Sequence, residues 1–190
     1  MPVFLACIDG AEIDGPVADD DEIRALAVAA HKEFWRLLEK PDRDRDESRA
    51  MIAAAHANLS NWEKIGTFVE AQRGNWLVAR AYIELGLVEP ALVYARKTME
   101  ITAQHHQELA DFDRAFAKEL AARAWALAGN IVRAKAHHAD AHMLGEAIGS
   151  DADRREFFRQ FERGPWFRLL DGADSDAGQP PSAVAAKVGE

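Results

Sequence analysis

Apolar residues recur at every third or fourth position through most of the chain, which is the spacing of an amphipathic helix. The aspartates at positions 19–21 come just before the first such run and can cap its first turn. Pro41 ends the run because proline cannot continue a helix. The first helix is therefore predicted over the apolar positions Ile23, Leu26, Ala27, Ala30, Phe34, Leu37 and Leu38.

The same spacing predicts six more helices, near residues 48–65, 67–85, 89–106, 111–128, 131–148 and 151–163. Turns between them are marked by Gly66, Gly86, Gly129 and Gly149. Gly74 lies inside the third helix and is expected to weaken it locally. Residues 3–8 could form a strand but have no partner strand, so the pattern predicts an all-α protein.

The chain resembles itself at an offset of 43 residues. Each copy has an alanine-rich helix, an aromatic residue one turn before its end, a glycine turn and a second helix that opens on a small residue. Small residues let paired helices approach closely, so this repeat predicts stacked helix pairs. The aligned positions are Ala79, Arg80, Ala81, Tyr82, Gly86 and Ala91 with Ala122, Arg123, Ala124, Trp125, Gly129 and Ala134.

Both copies resemble the tetratricopeptide repeat, although the offset exceeds the family's usual 34 residues and the residues typical of the start of each repeat are largely missing. The resemblance implies a short right-handed array of antiparallel helix pairs with a concave binding surface. The predicted pairs are residues 23–65, 68–106 and 112–148, with residues 151–163 as a C-terminal capping helix. The matching residues are Tyr82, Gly86, Ala91 and Tyr94, then Trp125, Gly129, Ala134 and Ala141.

A second resemblance covers residues 23–165, where several short motifs are similar to those of a family of short uncharacterised bacterial proteins. It implies the same helical fold and a bacterial origin, and it carries no activity. The motifs lie at residues 56–62, 66–67, 73–76, 89–92 and 110–113.

Acidic residues are concentrated at the two ends of the chain, whose net charge is −9. Residues 1–22 hold seven acids and no base, and residues 171–190 hold four acids and one lysine, which leaves 21 acids and 22 bases between them. This distribution predicts a helical domain over residues 19–170, flanked by disordered acidic segments at 1–18 and 171–190. It argues against nucleic acid as a partner, because phosphate binding needs clustered basic charge.

The chain has one cysteine, Cys7, and no apolar stretch of the roughly 20 residues that cross a bilayer. A lone cysteine excludes a disulfide framework and favours a reducing compartment. The apolar run from Pro2 to Ile8 lacks the preceding basic residues of an export signal. We therefore expect a cytoplasmic protein without a membrane partner, and a reactive thiol at Cys7 is the less favoured alternative.

Candidate binding residues lie on two of the predicted helices. Arg73, Trp76 and Arg80 share one side of the third helix and suit an anionic peptide, although a packed tryptophan with solvated arginines has the same spacing. His56 and Ser60 lie one turn apart on the second helix, either in a polar pocket or with the histidine packed and hydrogen-bonded between helices. A nucleophile pair would also need an orienting acid and an oxyanion turn, and neither is evident.

Asp111 and Asp113 stand where the fifth helix should begin. At least one of them is expected to cap this helix, and the other is a candidate ligand for a cationic group. His138 and His142 have the four-residue spacing of paired zinc ligands but lack an evident third ligand, so they are only weak metal candidates. The sequence predicts no bound metal and no cofactor.

Residues 154–170 combine basic and aromatic side chains. This combination favours a capping helix first, a homodimer contact second and a membrane-surface helix third. As a whole, the sequence predicts a non-catalytic interaction scaffold that binds a peptide or partner helix in a concave helical groove. The alternative is a small-ligand-binding protein or a metal-dependent enzyme with a polar pocket around His56.

Overall fold

The computed structural model describes residues 19–167 and residue 169. These residues form seven α-helices and no β-strand, which confirms the all-α prediction. The predicted acidic segments, with Cys7 and the apolar run from Pro2 to Ile8, lie outside the described residues. The helices are α1 (Asp20–Glu39), α2 (Arg45–Ile65), α3 (Phe68–Glu84), α4 (Val88–Gln104), α5 (Asp111–Leu127), α6 (Ile131–Glu146) and α7 (Asp151–Glu162).

Polar side chains cap five of these helices at their N-termini. At the start of α1 the Asp19 carboxylate accepts a hydrogen bond of 2.8 Å from the backbone N–H of Glu22. Asp44 and Thr67 are the N-caps of capping boxes that begin α2 and α3. These caps satisfy backbone N–H groups that have no partner inside the helix, so the helices begin close to their predicted starts.

Each helix from α1 to α6 packs against the next one in the chain, α3 also contacts α5, and α7 packs against α5 and α6. The result is an array of three helix pairs, α1/α2, α3/α4 and α5/α6, followed by α7. This arrangement confirms the predicted fold class of antiparallel helix pairs with a C-terminal capping helix.

The two copies of the 43-residue repeat end their first helices in the same backbone geometry. Gly86 and Gly129 have φ angles of +71° and +75°, in the left-handed region that glycine adopts without strain. The N–H of the next residue donates to the carbonyl of Tyr82 in one copy and of Trp125 in the other, at 2.9 Å in both. The aligned residues therefore make the same helix-ending turn.

Gly74, which is expected to weaken α3 locally, lies where α2 and α3 approach each other closely. A Cβ atom at Gly74 would lie 2.8 Å from Cδ1 and 3.1 Å from Cα of Leu59. Gly145 of α6 has a similar role, since a Cβ there would overlap the ring of Phe157 on α7. The local loss of helix propensity at these positions is offset by close packing between helices.

A row of aromatic rings crosses the core from α1 to α7. Trp35 stacks on Trp76 at 5.9 Å, Trp76 meets Phe116 edge to face at 5.4 Å, and Phe116 meets Phe157 at 5.0 Å between ring centres. These distances are typical of favourable aromatic pairs. The row ties the first helix of each pair to the capping helix. None of the described helices combines the length and apolar character needed to cross a membrane.

Candidate functional site

Arg73, Trp76 and Arg80 do share one side of α3, and this side is packed against α5. The guanidinium of Arg73 donates two hydrogen bonds to the carboxylate of Asp113, at 2.8 and 3.0 Å. The indole N–H of Trp76 donates to the backbone carbonyl of Phe116 at 3.2 Å. The polar atoms that would hold an anionic peptide are therefore already bonded within the protein.

We call the side of the array formed by α1, α3 and α5 its inner face, and we call residues 163–167 the C-terminal strap. Helix α7 and this strap cover the inner face. Arg80 donates to the carbonyl of Gly164 at 2.8 Å. Arg123 donates to the carbonyls of Gln160 at 2.8 Å and Pro165 at 3.1 Å. Most of the aromatic and apolar side chains of this region are buried, namely Phe157, Phe161, Trp166 and Leu169.

Arg80 and Arg123, which are equivalent in the repeat, belong to a buried charge cluster with Glu84 and Glu119. The two arginines are only 2% and 0% exposed. Glu119 accepts hydrogen bonds from both of them, and Arg80 also pairs with Glu84 at 2.8 Å. Burial lowers the pKa of Arg123 to about 10, and the charge of Glu119 opposes this shift. Two cations and two anions cancel, so the cluster is neutral at pH 7.

His56 lies in an aromatic cluster at the junction of α2, α3 and α4. Its Nε2 is 2.9 Å from the hydroxyl oxygen of Tyr82, and its ring centre is 5.5 Å from that of Tyr94. Burial is the main cause that lowers the pKa of His56, and the charge of Lys97 adds to it. Ser60 is exposed and makes no hydrogen bond with His56. The three rings fill the space over α3 between α2 and α4, which we call the α3 groove.

Asp111 and Asp113 contradict the expectation that one of them caps α5. The N-cap is Ala110, which offers no side-chain hydrogen bond. Asp111 pairs with Arg114 within the first turn, and Asp113 is buried against Arg73. Both aspartates lie inside the helix rather than before it, so their carboxylates turn to neighbouring arginines.

The candidate residues do not converge on one site. His56 lies beside the C-terminal half of α3, whereas Asp113 lies beside its N-terminal half. A cavity of about 480 Å³ is lined by Arg80, Glu84 and Arg163 among others. Arg80 and Glu84 already pair with each other there, and Arg163 donates to carbonyls at the end of α1. This cavity does not include His56, Ser60, Asp111 or Asp113.

His138 and His142 face aromatic rings rather than other metal-binding groups. The His138 ring lies 4.6 Å from Phe161 and 4.7 Å from Trp166, and the His142 ring lies 5.4 Å from Phe158, between ring centres. No group of three or more His, Cys, Asp or Glu side chains in the described part of the chain is placed to hold a metal ion.

A second groove lies over α5 between α4 and α6, and we call it the α5 groove. It is open to solvent and has a volume of about 330 Å³. Ala121 and Ala124 are its buried floor, and the ring of Trp125 is one wall. The surface that it offers is mostly apolar. The other lining residues are Leu92, Ala95, Arg96 and Met99 of α4, and Arg133, Ala136 and His137 of α6.

The polar groups of the α5 groove are cationic or uncharged, and no acid lines it. The guanidinium of Arg133 lies 4.5 Å from the centre of the Trp125 ring. Arg96 and Arg133 make no ion pair with any described residue. Nδ1 of His137 is buried and finds no hydrogen-bond partner within the described ranges. Burial and then the charge of Lys118 lower the pKa of His137, so its imidazole is neutral at pH 7.

The α5 groove was not predicted from the sequence, although the repeat contains a signal for it. Three of the residues that line the α5 groove are smaller than the residues at the equivalent positions of the first copy. The replacements are Val78 by Ala121, Val93 by Ala136 and Tyr94 by His137. Two other lining residues are larger than their equivalents, Trp125 for Tyr82 and Arg133 for Pro90, so the volumes of the residues alone do not locate the groove.

The fold places the chain among helical-repeat arrays. Comparisons with protein-family models, with curated proteins and with solved structures find no match to it. The geometry and charge of the α5 groove are therefore the evidence from which a function can be argued.

Proposed function

We propose that the protein is a non-catalytic, tetratricopeptide-like scaffold whose α5 groove binds a segment of a partner protein. The observation that carries the proposal is that this groove is open and apolar where the equivalent α3 groove is filled by the protein's own side chains. An amphipathic helix or extended peptide places spaced apolar residues into such grooves between helices. The partner segment would supply the ring or aliphatic side chain that the second repeat lacks.

The size of the groove suits one or two side chains rather than a whole small molecule. Its volume of about 330 Å³ is at the lower end of the range for small-ligand pockets. Apolar side chains gain roughly 25 cal/mol per Å² of surface that they bury, so one anchoring Phe or Leu supplies most of the favourable term. This geometry supports recognition of a polypeptide by an anchor residue.

The charge of the groove supports an acidic partner. Arg96 and Arg133 have no described ion-pair partner, and no lining residue is acidic. Carboxylates next to the anchor residue would meet these guanidinium groups, which favours fast association that weakens with salt. Nδ1 of His137 offers a further polar contact inside the groove.

The proposed partner is a protein or peptide rather than nucleic acid, because the net charge of −9 repels phosphates at long range. A cytoplasmic, bacterial setting remains part of the proposal, supported by the single cysteine and the motifs that resemble a bacterial family.

A homodimer through residues 154–170 has less support than a partner in the α5 groove. Phe157, Phe161 and Trp166 are already buried against the same chain.

The proposal is tested by selecting binders from a displayed library of random twelve-residue peptides, with the full chain as target. We expect enrichment of peptides that carry an aromatic or aliphatic residue flanked by Asp or Glu. The dissociation constant of one such peptide is then measured for the Ala136→Trp variant, in which the new ring fills the groove. Binding should weaken at least tenfold, because the anchor residue loses its place.

The matched control is Ala139→Trp, since Ala139 is also an exposed alanine of α6 but does not line the groove. Its affinity should equal that of the natural chain. Enriched peptides without acidic residues, or equal losses in the two variants, would contradict the proposal.

A further inference from the structure

We infer that the cavity between the end of α3 and the C-terminal strap binds the phosphate or carboxylate group of a small molecule through Arg80 and Arg163. We call this space the strap cavity. Three parts of the chain line it, namely the end of α1, the end of α3 with its glycine turn, and the strap. The site is separate from the α5 groove and does not depend on the function proposed there.

The first observation is a buried guanidinium nitrogen that lacks a partner. Arg80 lines the strap cavity and is only 2% exposed. Its two terminal nitrogens bond with Glu84, Glu119 and Gly164, but its Nε has no hydrogen-bond partner within the described residues. Buried N–H groups are almost always hydrogen-bonded in folded proteins. An anionic oxygen bound in the cavity would supply the acceptor that this nitrogen needs.

The second observation is an excess of positive charge behind the cavity wall. Five side chains form an unbroken series of ion pairs, and none of them is more than 16% exposed. Three of the five are cations and two are anions, so one positive charge is unmatched. An unmatched charge is costly where water is largely excluded, which favours the uptake of an anion. The series is Arg43, Glu84, Arg80, Glu119 and Arg123.

Arg163 adds a second cation on the solvent side of the cavity. Its guanidinium donates to the carbonyls of Leu38 and Glu39 only at 3.5 and 3.4 Å, and such long hydrogen bonds are weak. The carboxylate of Glu39 pairs instead with Arg159 at 3.4 Å. Salt screens charges beyond about 8 Å, so this local excess decides the binding of a small anion rather than the net charge of −9.

The size and the walls of the cavity suit a small molecule. Its volume of about 480 Å³ lies within the range of small-ligand pockets. Leu38, Ile83 and Phe167 give it apolar walls beside the two arginines. An anionic group on a short carbon skeleton therefore fits both the charge and the surface. Arginine recognises such groups because its planar guanidinium matches the oxygens of phosphate and carboxylate.

The experiment follows the arginine Nε–H signals of the full, ¹⁵N-labelled chain by NMR. The protein is titrated with inorganic phosphate and, separately, with succinate, while sodium chloride keeps the ionic strength constant. We expect the Arg80 Nε–H signal to shift and to saturate, because this N–H gains an acceptor. Tighter binding of phosphate would identify a phosphate ester as the ligand class, and tighter binding of succinate a carboxylic acid.

Three variants test where the anion binds. Arg163→Gln should weaken binding by at least about tenfold, because a charge-assisted hydrogen bond is lost. The matched control is Arg155→Gln, which removes the same charge from an exposed arginine of α7 outside the cavity and should keep the affinity of the natural chain. Ala136→Trp fills the α5 groove and should also leave the Arg80 response unchanged.

Thermal unfolding provides a second readout. An anion that binds only the folded state raises the melting temperature. Phosphate also stabilises proteins without binding a site, so the variants are compared at the same phosphate concentration. The increase should be larger for the natural chain and for Arg155→Gln than for Arg163→Gln.

Three outcomes would overturn the inference. The first is an Arg80 signal that neither anion shifts. The second is a shift that grows in proportion to the anion concentration without saturating. The third is an equal loss of affinity in Arg163→Gln and Arg155→Gln. Peptide binding in the α5 groove is measured on different variants, so each of these outcomes leaves the proposed function as it stands.

Discussion

The α3 groove and the α5 groove occupy equivalent places in two successive repeats, but only the first is filled. Rings from three helices, His56, Tyr82 and Tyr94, meet in the α3 groove. In the α5 groove the position of Tyr94 is taken by His137, and alanines replace two valines. A volume of about 330 Å³ is left open. A repeat can therefore keep its backbone while exchanging its own packing for a binding surface.

What the two repeats share lies on the inner side of the array. Gly86 and Gly129 end their helices in the same turn, and Arg80 and Arg123 both donate to backbone carbonyls of α7 or the C-terminal strap. These shared contacts hold the helices of both repeats in place, both beside the filled α3 groove and beside the open α5 groove. The difference between the grooves is thus confined to side chains that the inner frame does not need.

Removing an arginine of the shared frame should have the largest effect. Arg123→Ala leaves the buried carboxylate of Glu119 with only the longer bond from Arg80, and it removes the side-chain donor to the carbonyls of Gln160 in α7 and Pro165 in the strap. Breaking a buried charge pair on one side typically costs about 3–5 kcal/mol of unfolding free energy. Urea unfolding of the variant measures this loss, and Lys135→Ala, at an exposed position, is the control. A loss below about 1 kcal/mol would mean that the grooves do not depend on this frame.

Converting the filled groove into the open one should have the second largest effect. Val78→Ala, Val93→Ala and Tyr94→His place the residues of the second copy into the first. Val78 is fully buried, and Tyr94 loses its stack on Tyr82, so we expect a loss of about 2–3 kcal/mol in thermal or urea unfolding. A triple variant as stable as the natural chain would show that the α3 groove is not packed as a core.

The reverse exchange should change stability less and binding more. Ala121→Val, Ala136→Val and His137→Tyr fill existing space in the α5 groove, so the unfolding free energy should change by less than about 1 kcal/mol. The affinity for a library-selected peptide should fall at least tenfold. The two outcomes separate occupancy of the groove from damage to the fold. Retained affinity in a stable variant would move the binding site elsewhere.

The helices were predictable from the sequence because their evidence is local. The period of the apolar residues, the caps at Asp19 and Thr67 and the turn at Gly86 all act within a few positions. The resulting boundaries agree with the structure within a few residues. The helix pairs followed from the repeat, because its small residues mark close helix contacts.

The burial of Arg80 and Arg123 was not predictable, because each reads as a polar surface residue on its helix. Each arginine has one acidic partner four residues away, Glu84 for Arg80 and Glu119 for Arg123, and this spacing is equally typical of an exposed helix face. The partners that come from other elements are distant in sequence, with Glu119 39 residues after Arg80 and Gly164 84 residues after it. The sequence predicted α7 as a capping helix, but it did not predict that Arg80 and Arg123 would donate to carbonyls of α7 and the strap. Periodicity shows which face of a helix is apolar, but it does not show which segment lies against that face.

The smallest effect we expect is a pH dependence that is specific to the α5 groove. The pKa values of both His56 and His137 are lowered from 6.5, in each case mainly by burial. A carboxylate bound beside His137 favours its charged form and should raise its pKa, whereas His56 in the filled groove should not respond. NMR titration of the histidine ring protons, with and without a selected peptide, measures both values. Equal shifts would mean that the peptide does not distinguish the grooves.

The sign of the linked affinity change follows from that shift. Because the bound state takes up a proton more readily than the free state, peptide affinity should increase as the pH falls through the region below 6.5. The increase should be less than tenfold, since a tenfold change requires a full unit of difference in pKa. His137→Gln should remove the increase while leaving the contacts of Arg96 and Arg133 in place. An affinity that instead falls with pH would indicate that protonation of the ligand carboxylates outweighs His137.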